Sequence, residues 1–470
     1  MKNTWPCSTM ATIDILSRMK PARFFLTVLA IGTLLASPLT QSLISQARPA
    51  GIDSVFQTFW AAKSSNDAVR LVDDVVKTGV SFDEAVRRLK SGRVYTAQKP
   101  GVIQLSVKTN GIDHHYAVNV PEGYDPSRRY QVRFKLHGGV GGRLTSDPRG
   151  TGEIGALAGA EQFYVLPYAW SAEPWWSNEQ ITNLGAIVDA LKRTYNIDEN
   201  RVVVAGVSDG GTGAYYIAMR ETTPFASFLP LNGFIMVLGN DHIDDGEIFP
   251  NNLRNKPLFV INGGKDRLYP ISATEPYTKH LISNGVEIEY HPHPEGEHNT
   301  AWWPVEKDSF EKFVSGHARS PHPDKLSWET GNLSHNRAHW LIIDKLGAQP
   351  SDSKSLKDMN AVEKSDPIAK FASSSITMFI RLNSPGRVDL VRNGNTVQAT
   401  ARGVAAFTLL LSPDQFDFSQ PLKVTANGRI VFEGRVQPSV ETLMKWAARD
   451  NDRTMLYGAE LKVDLAALKQ

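Results

Sequence analysis

The strongest chemical signal in the chain is six residues long: Gly206-Val207-Ser208-Asp209-Gly210-Gly211. A β-branched apolar run, Arg201-Val202-Val203-Val204-Ala205, leads into it, and a helix-compatible segment, Thr212 to Arg220, leads out. A serine held at the tip of a tight strand-to-helix turn, with small residues at Gly206 and Gly210 so that the two arms can close, is the G-x-S-x-G elbow of a nucleophilic serine. A serine hydroxyl is a poor nucleophile at neutral pH. It needs a base to take its proton, a carboxylate to orient that base, and donors for the oxyanion that forms.

The sequence supplies candidates for each part. Asp266 lies in Gly263-Gly264-Lys265-Asp266-Arg267-Leu268-Tyr269-Pro270, just past the apolar run Pro257 to Ile261. Carboxyl ends of strands in open α/β sheets are where functional groups gather. Asp241, Asp244 and Asp245 are rivals in a polar loop that no strong strand enters. His298, in Pro294-Glu295-Gly296-Glu297-His298, follows a strand expected over Val286 to Tyr290 and is preferred as the base over His291 and His293. The expected oxyanion donors are backbone N–H groups: Asp209, directly after the serine, and Gly139 or Val140 in the loop after His137. His137 itself reads as structural. Trp302, Trp303 and Trp176 flank these segments and are candidates for lining the site. His114-His115 and His291-Pro292-His293 lack a cluster of partners, and the single cysteine, Cys7, offers no ligand set. No metal and no cofactor is expected.

Around these residues the chain alternates. Val102 to Val120 reads as a hairpin turned at Asn110-Gly111. Strands follow at Val132 to Leu136, Phe163 to Leu166, Arg201 to Ala205, Phe225 to Leu231 and Pro257 to Ile261, with helices opening at Ser177, after the elbow, near Ala273 and near Val305. That is an α/β plan with a mostly parallel sheet. Before it, the apolar spacing of Val55 to Trp60, Ala68 to Val76 and the segment after Ser81 predicts three helices packed against the main domain. After His317 the chain turns β-rich, with hairpin turns at Asn393-Gly394 and Asn427-Gly428, which suggests a small sandwich.

The chain has 470 residues, 41% of them hydrophobic and 21% charged, with 51 basic against 49 acidic side chains. No block of like charge points to nucleic acid or to an anionic membrane. Phe24 to Ala36, preceded by Lys20 and Arg23, has the length of a signal-peptide core. Ser45-Gln46-Ala47 offers a cleavage site, and Met19 is an alternative start. The division expected is signal peptide 1–47, helical segment 48–99, catalytic domain 100–317, and linker plus β-rich domain 318–470.

Together, Leu136-His137-Gly138-Gly139, the Ser208 elbow, Gly264 to Pro270 and Gly296-Glu297-His298 resemble the α/β-hydrolase superfamily. They are most similar to its serine esterases of the feruloyl esterase and polyhydroxybutyrate depolymerase-like type, a branch that overlaps the prolyl-oligopeptidase-like catalytic domain. The resemblance covers about Val102 to His317. It implies an α/β-hydrolase fold with Ser208 as nucleophile, Asp266 as acid and His298 as base. It also implies an enzyme that cleaves carboxylic esters through an acyl-enzyme, and the signal-peptide segment implies export to the periplasm or the outside. The alternatives are an exported serine peptidase with the same triad and a surface- or polysaccharide-binding protein on a hydrolase scaffold. The expected partner is a small or polymer-linked ester. The β-rich tail reads as structural or adhesive, a contact for polysaccharide or a cell surface.

Overall fold

The computed structural model describes residues 51–144, 160–347, 357–363, 366–369 and 376–466. The expected signal peptide lies outside them. Four short helices come first: α1 (Ile52–Ala61), α2 (Ser65–Arg70), α3 (Val72–Lys77) and α4 (Phe82–Ser91). Ser64 and Ser81 cap α2 and α4, each accepting a backbone N–H three residues on. The second expected helix is broken at Leu71 into α2 and α3.

Eight strands then build one sheet: β1 (Gly101–Thr109), β2 (Ile112–Val120), β3 (Tyr130–Leu136), β4 (Phe163–Pro167), β5 (Ile197–Val207), β6 (Ser227–Leu231), β7 (Leu258–Gly263) and β8 (Ile288–His293). Their order is β1-β2-β4-β3-β5-β6-β7-β8. The β1–β2 hairpin turns at Asn110 (φ 46°) and Gly111 (φ 88°), as a two-residue turn with both φ positive should. β2 pairs antiparallel with β4, and every junction from β4 through β3 to β8 is parallel. β4, β6 and β7 are buried at every position, as central parallel strands covered on both faces must be.

The connecting helices are α5 (Asn178–Thr194), α6 (Asp209–Arg220), α7 (Ile271–Ser283) and α8 (Trp303–Gly316). Side chains alternate across β5 and divide the core. Val202 and Val204 join a cluster with Leu184, Ile217 and Leu281, which puts α5, α6 and α7 on that side. Val203 and Ala205 join Phe259, Phe310 and Phe313, which puts α8 on the other.

Beyond α8 two small sheets share one hydrophobic cluster. One has five strands, drawn from Lys325–Thr330, Gly386–Asn393, Thr396–Arg402, Leu422–Ala426 and Arg429–Gly434. The other has four, from Arg337–Ala338, Leu341–Leu346, Val404–Leu411 and Ala459–Asp464. A last helix, α9 (Val440–Asp450), corrects one expectation. The N-terminal helices do not simply pack on the large sheet. Phe56, Phe59, Val75 and Leu89 bury themselves against Leu443, Met444 and Ala447 of α9, so the two ends of the described chain share one small core.

The tail is joined to the large sheet by more than apolar contact. Met359, Val362, Met378 and Phe379 enter the main core. Arg319 pairs with Asp452 at 2.8 Å, and Lys192 of α5 reaches the same carboxylate at 3.1 Å, all three side chains being almost completely buried. Arg453 pairs with Glu199 at the start of β5. All the described residues belong to one compact unit, Pro49–Gln470.

Candidate active site

The elbow is visible in the backbone. Ser208 has φ 59° and ψ −119°, a conformation that costs a non-glycine residue about 1–3 kcal/mol and persists only where the surroundings enforce it. The enforcement is steric. A Cβ at Gly206 would lie 2.0 Å from Gly210 O, and one at Gly210 would lie 2.2 Å from Leu136 O. Strand β5 and helix α6 therefore close to a separation that only glycine permits. The Ser208 N–H donates to Leu231 O at 2.9 Å, which fastens the turn to the end of β6.

Three side chains from three strand ends meet there. Ser208 Oγ lies 2.8 Å from His298 Nε2. His298 Nδ1 lies 2.7 Å from Asp266 Oδ2. The other oxygen of Asp266 accepts the N–H groups of Leu268 at 2.8 Å and Tyr269 at 2.9 Å, so both carboxylate oxygens are engaged. The Asp266 side chain has no exposed surface, whereas that of His298 keeps 24%. Asp266 stands in the turn after β7. His298 stands in the loop after β8, which is tied down by Asn232 Nδ2 donating to Asn299 O at 2.7 Å.

Of the rival aspartates, Asp241 is exposed, and Asp244 and Asp245 are occupied elsewhere. Asp244 accepts the N–H groups of Gly246 and Ile380, and Asp245 holds Arg220 in a bidentate pair. Strand β8 runs on to His293, past the expected end at Tyr290. It carries His291 and His293, and both pair with Glu306 of α8.

The loop after β3 departs from expectation at one position. The Val140 N–H donates to Asp209 Oδ2 at 3.0 Å, so it is not free for a developing oxyanion. Gly139 (φ 68°) is exposed, and a Cβ at Gly138 would lie 3.0 Å from the Ser208 Cβ, so the loop passes directly over the serine. His137 is built in. Its Nε2 accepts the Ala169 N–H at 3.1 Å, its Nδ1 lies 2.9 Å from Gly138 O, and Trp175 Nε1 donates to its carbonyl at 2.8 Å. Burial pushes the His137 ring below the usual histidine range, against the pull of these hydrogen bonds. A neutral ring that accepts at Nε2 and donates at Nδ1 fits that environment.

The tryptophans are a second correction. Trp302 and Trp303 are 5% and 8% exposed and belong to the cluster between the sheet and α8. Trp302 stacks on His293, and Trp303 meets Phe310 edge-on. Both rings are taken up by packing with Phe259, Phe310 and Phe313. Trp176 is partly buried against the main core. The aromatic group at the site is Tyr269, whose ring meets His298 edge-on at 5.6 Å and Phe234 at 6.0 Å. Burial raises the Tyr269 phenol, and the nearby Asp209 and Asp266 carboxylates raise it further. Its position two residues before α7, beside Asp266, was the available signal. Phe234 carried none, because it comes close only through the Asn232-Gly233 turn (Asn232 φ 47°).

A cavity of about 840 Å³ elsewhere, lined by Phe56, Trp60, Arg88, Arg93 and Arg193, contains none of the three central residues. Its Arg88 is held by Asp53 and Glu84 and its Arg193 by Asp189, so these cations are already partnered.

A strand order of β1-β2-β4-β3-β5-β6-β7-β8, with a strained serine between β5 and α6, decides the fold. It is the α/β-hydrolase fold. No protein-family model matches the chain. Two curated proteins do. The chain is 28% identical over 183 residues to a probable feruloyl esterase C of Aspergillus terreus, covering 36% of this chain and 66% of the relative. It is 26% identical over 186 residues to feruloyl esterase C of Emericella nidulans, covering 36% of this chain and 67% of that one. The alignment thus spans about two thirds of these relatives' length. Among solved structures, a thermostable esterase aligns with 21% identity over 46% of this chain and 63% of its own, at a TM-score of 0.39. An acylaminoacyl peptidase of Pyrococcus horikoshii aligns with 16% identity over 47% and 42%, at 0.37. Scores this low decide nothing between the two. Among the described residues, no helix is long and apolar enough to cross a membrane.

Proposed function

We propose that the protein is a serine hydrolase that cleaves carboxylic esters through an acyl-enzyme. The observation that carries this reading is the unbroken chain Asp266–His298–Ser208, at 2.7 Å and 2.8 Å, on a serine held in a strained turn. His298 Nε2 takes the Ser208 proton as Oγ bonds to the ester carbonyl carbon. Asp266 holds the ring so that Nε2 faces the serine, and its charge favours the imidazolium that forms. The oxyanion is met by the Asp209 N–H at the first turn of α6, where the helix dipole adds to the hydrogen bond. The Gly139 N–H is the second donor. As the tetrahedral intermediate collapses, the carbonyl–alkoxy bond breaks and His298 returns the proton to the departing alcohol. Water, deprotonated by His298, then attacks the acyl carbon, and Ser208 leaves with that proton restored.

The ester assignment draws on the similarity to the two feruloyl esterases. Hydrolysis of p-nitrophenyl acetate and butyrate by wild type and Ser208→Ala tests it. The variant should lose at least about 10³-fold in kcat. Equal rates would remove Ser208 from the mechanism, and a wild type active only on peptide anilides would remove the ester.

Export belongs to the same proposal and rests on the Phe24 to Ala36 segment. Mass spectrometry of protein expressed from the full chain in a host with a general secretion pathway should find an N-terminus near Ala47. Intact residues 1–47 would contradict it. The tail's role is proposed as structural, since Asp452 and Arg453 pair with Lys192 and Glu199 and Met359, Val362, Met378 and Phe379 enter the main core.

A further inference from the structure

A carboxylate beside a nucleophilic serine is electrostatically awkward. The oxyanion that forms on attack is itself negative, and like charges a few ångströms apart repel, more strongly as water is excluded. Asp209 nonetheless follows Ser208 directly, and its side chain is only partly exposed. The structure offers one compensation: Asp209 Oδ2 accepts the Val140 N–H at 3.0 Å.

That bond has a particular place in the loop. The segment from Gly138 to Leu144 is held at its far end by Tyr168 Oη, which donates to Arg143 O at 2.8 Å, and by the Ser171 N–H, which donates to Gly142 O at 2.9 Å. At its near end it is held through His137, which is packed between Tyr168 and Trp175. All of these anchors come from the β4–α5 side of the molecule. Asp209 alone belongs to α6, the helix that supplies the other oxyanion donor. Gly138 passes close over Val207 and Ser208, but neither Gly138 nor Gly139 has a side chain with which to anchor the loop.

We infer that Asp209 is a positioning residue: its carboxylate fixes the separation between the Gly139 N–H and its own backbone N–H, and so sets the oxyanion pocket before substrate arrives. The inference rests on the esterase reading above. It gives a side chain whose charge would otherwise oppose the chemistry a use as a hydrogen-bond acceptor. It also explains why Val140 is buried, with its N–H turned to the helix and away from the serine. Preorganised donors need no rearrangement as charge develops, which is where such pockets act.

The test uses Asp209→Ala and Asp209→Asn in the full chain, with kcat normalised to the active fraction titrated by a fluorophosphonate. Asparagine keeps an oxygen acceptor for Val140 and drops the charge; alanine loses both. Asp209→Ala should lower kcat about 10- to 100-fold, less than the 10²–10³ lost when an oxyanion donor is itself removed, with KM changed by less than about 2-fold. The inhibition constant of a boronic acid, a tetrahedral mimic, should weaken by the same factor as kcat/KM. Asp209→Asn should recover most of the loss. If alanine and asparagine both match or exceed the wild type while Ser208 is still labelled, Asp209 does not position the loop. If both are equally impaired, charge and not the hydrogen bond matters, and the inference again fails. If wild-type Ser208 takes no label at all, the esterase reading falls and this inference with it.

Discussion

Asp266 and Asp452 are both aspartates without exposed side-chain surface, and they serve different ends. Asp266 is held by two backbone N–H groups and one histidine ring, in the turn that closes β7. Asp452 lies past α9 and is held by two full cations, Arg319 and Lys192, with the Thr454 and Met455 N–H groups completing its shell. Burial would raise the Asp452 carboxyl, but those two cations pull it well below the usual range. On the proposed mechanism, one carboxylate is arranged around a proton that must move, the other around charges that must not. Asp266 orients a partly exposed ring, and its loss should be felt in rate. Asp452 joins the tail to α5 and to the segment after α8, and its loss should be felt in stability.

The largest effect that separates them is kinetic. Asp266→Asn should lower kcat by about 10⁴, because an amide at this position favours the wrong tautomer of His298, while the melting temperature moves by only a few degrees. A melting temperature that collapses with activity would make Asp266 a structural residue like Asp452. The second effect is thermodynamic. Asp452→Ala strands Arg319 and Lys192 without their carboxylate, and breaking a buried pair in this way costs about 3–5 kcal/mol. Urea titration should show that loss, while kcat per active site stays within about 2-fold of wild type. A changed kcat per titrated site would mean that the tail reaches into the chemistry.

The smallest effect is a pH slope. His322 and His335, both in the tail, are pushed down to about 4, in each case first by burial. Folding therefore favours their neutral forms. Their contribution to stability is complete above the ordinary histidine value of about 6.5 and is lost as pH falls toward 4. His335→Gln should flatten the fall in melting temperature between pH 7 and 4.5 by a few degrees. An unchanged slope would mean that the ring is free to protonate in the folded protein.

The same contrast explains what could be read from the sequence. Ser208 and Asp266 each sit in a short, glycine-rich stretch that leaves an apolar run, and His298 sits in a polar loop that follows an expected strand. Local rules therefore place them at strand ends, and the fold brings those ends together. The mostly parallel sheet and the β-rich tail were legible from the same periodicities. What escaped depends on contacts between distant segments. Nothing near Asp452 says that Arg319, 133 residues earlier, will meet it. Nothing in α1 to α4 says that their apolar faces await α9. Trp302 and Trp303 were expected at the site because they follow His298 closely. Both are buried with Phe259, Phe310 and Phe313, a packing that spacing along the chain does not encode. Val140 is, with Gly139, one of two donors expected in the loop after His137. Its N–H is taken by a side chain that the elbow motif leaves unspecified.

The central claim is that Ser208 is the nucleophile. The most direct measurement is peptide mapping by mass spectrometry after reaction of the full chain with a fluorophosphonate. A single stoichiometric adduct on Ser208, absent when the protein is unfolded beforehand and in His298→Ala, is the expected result. An unmodified Ser208, or an adduct on another serine with ester hydrolysis intact, would contradict it.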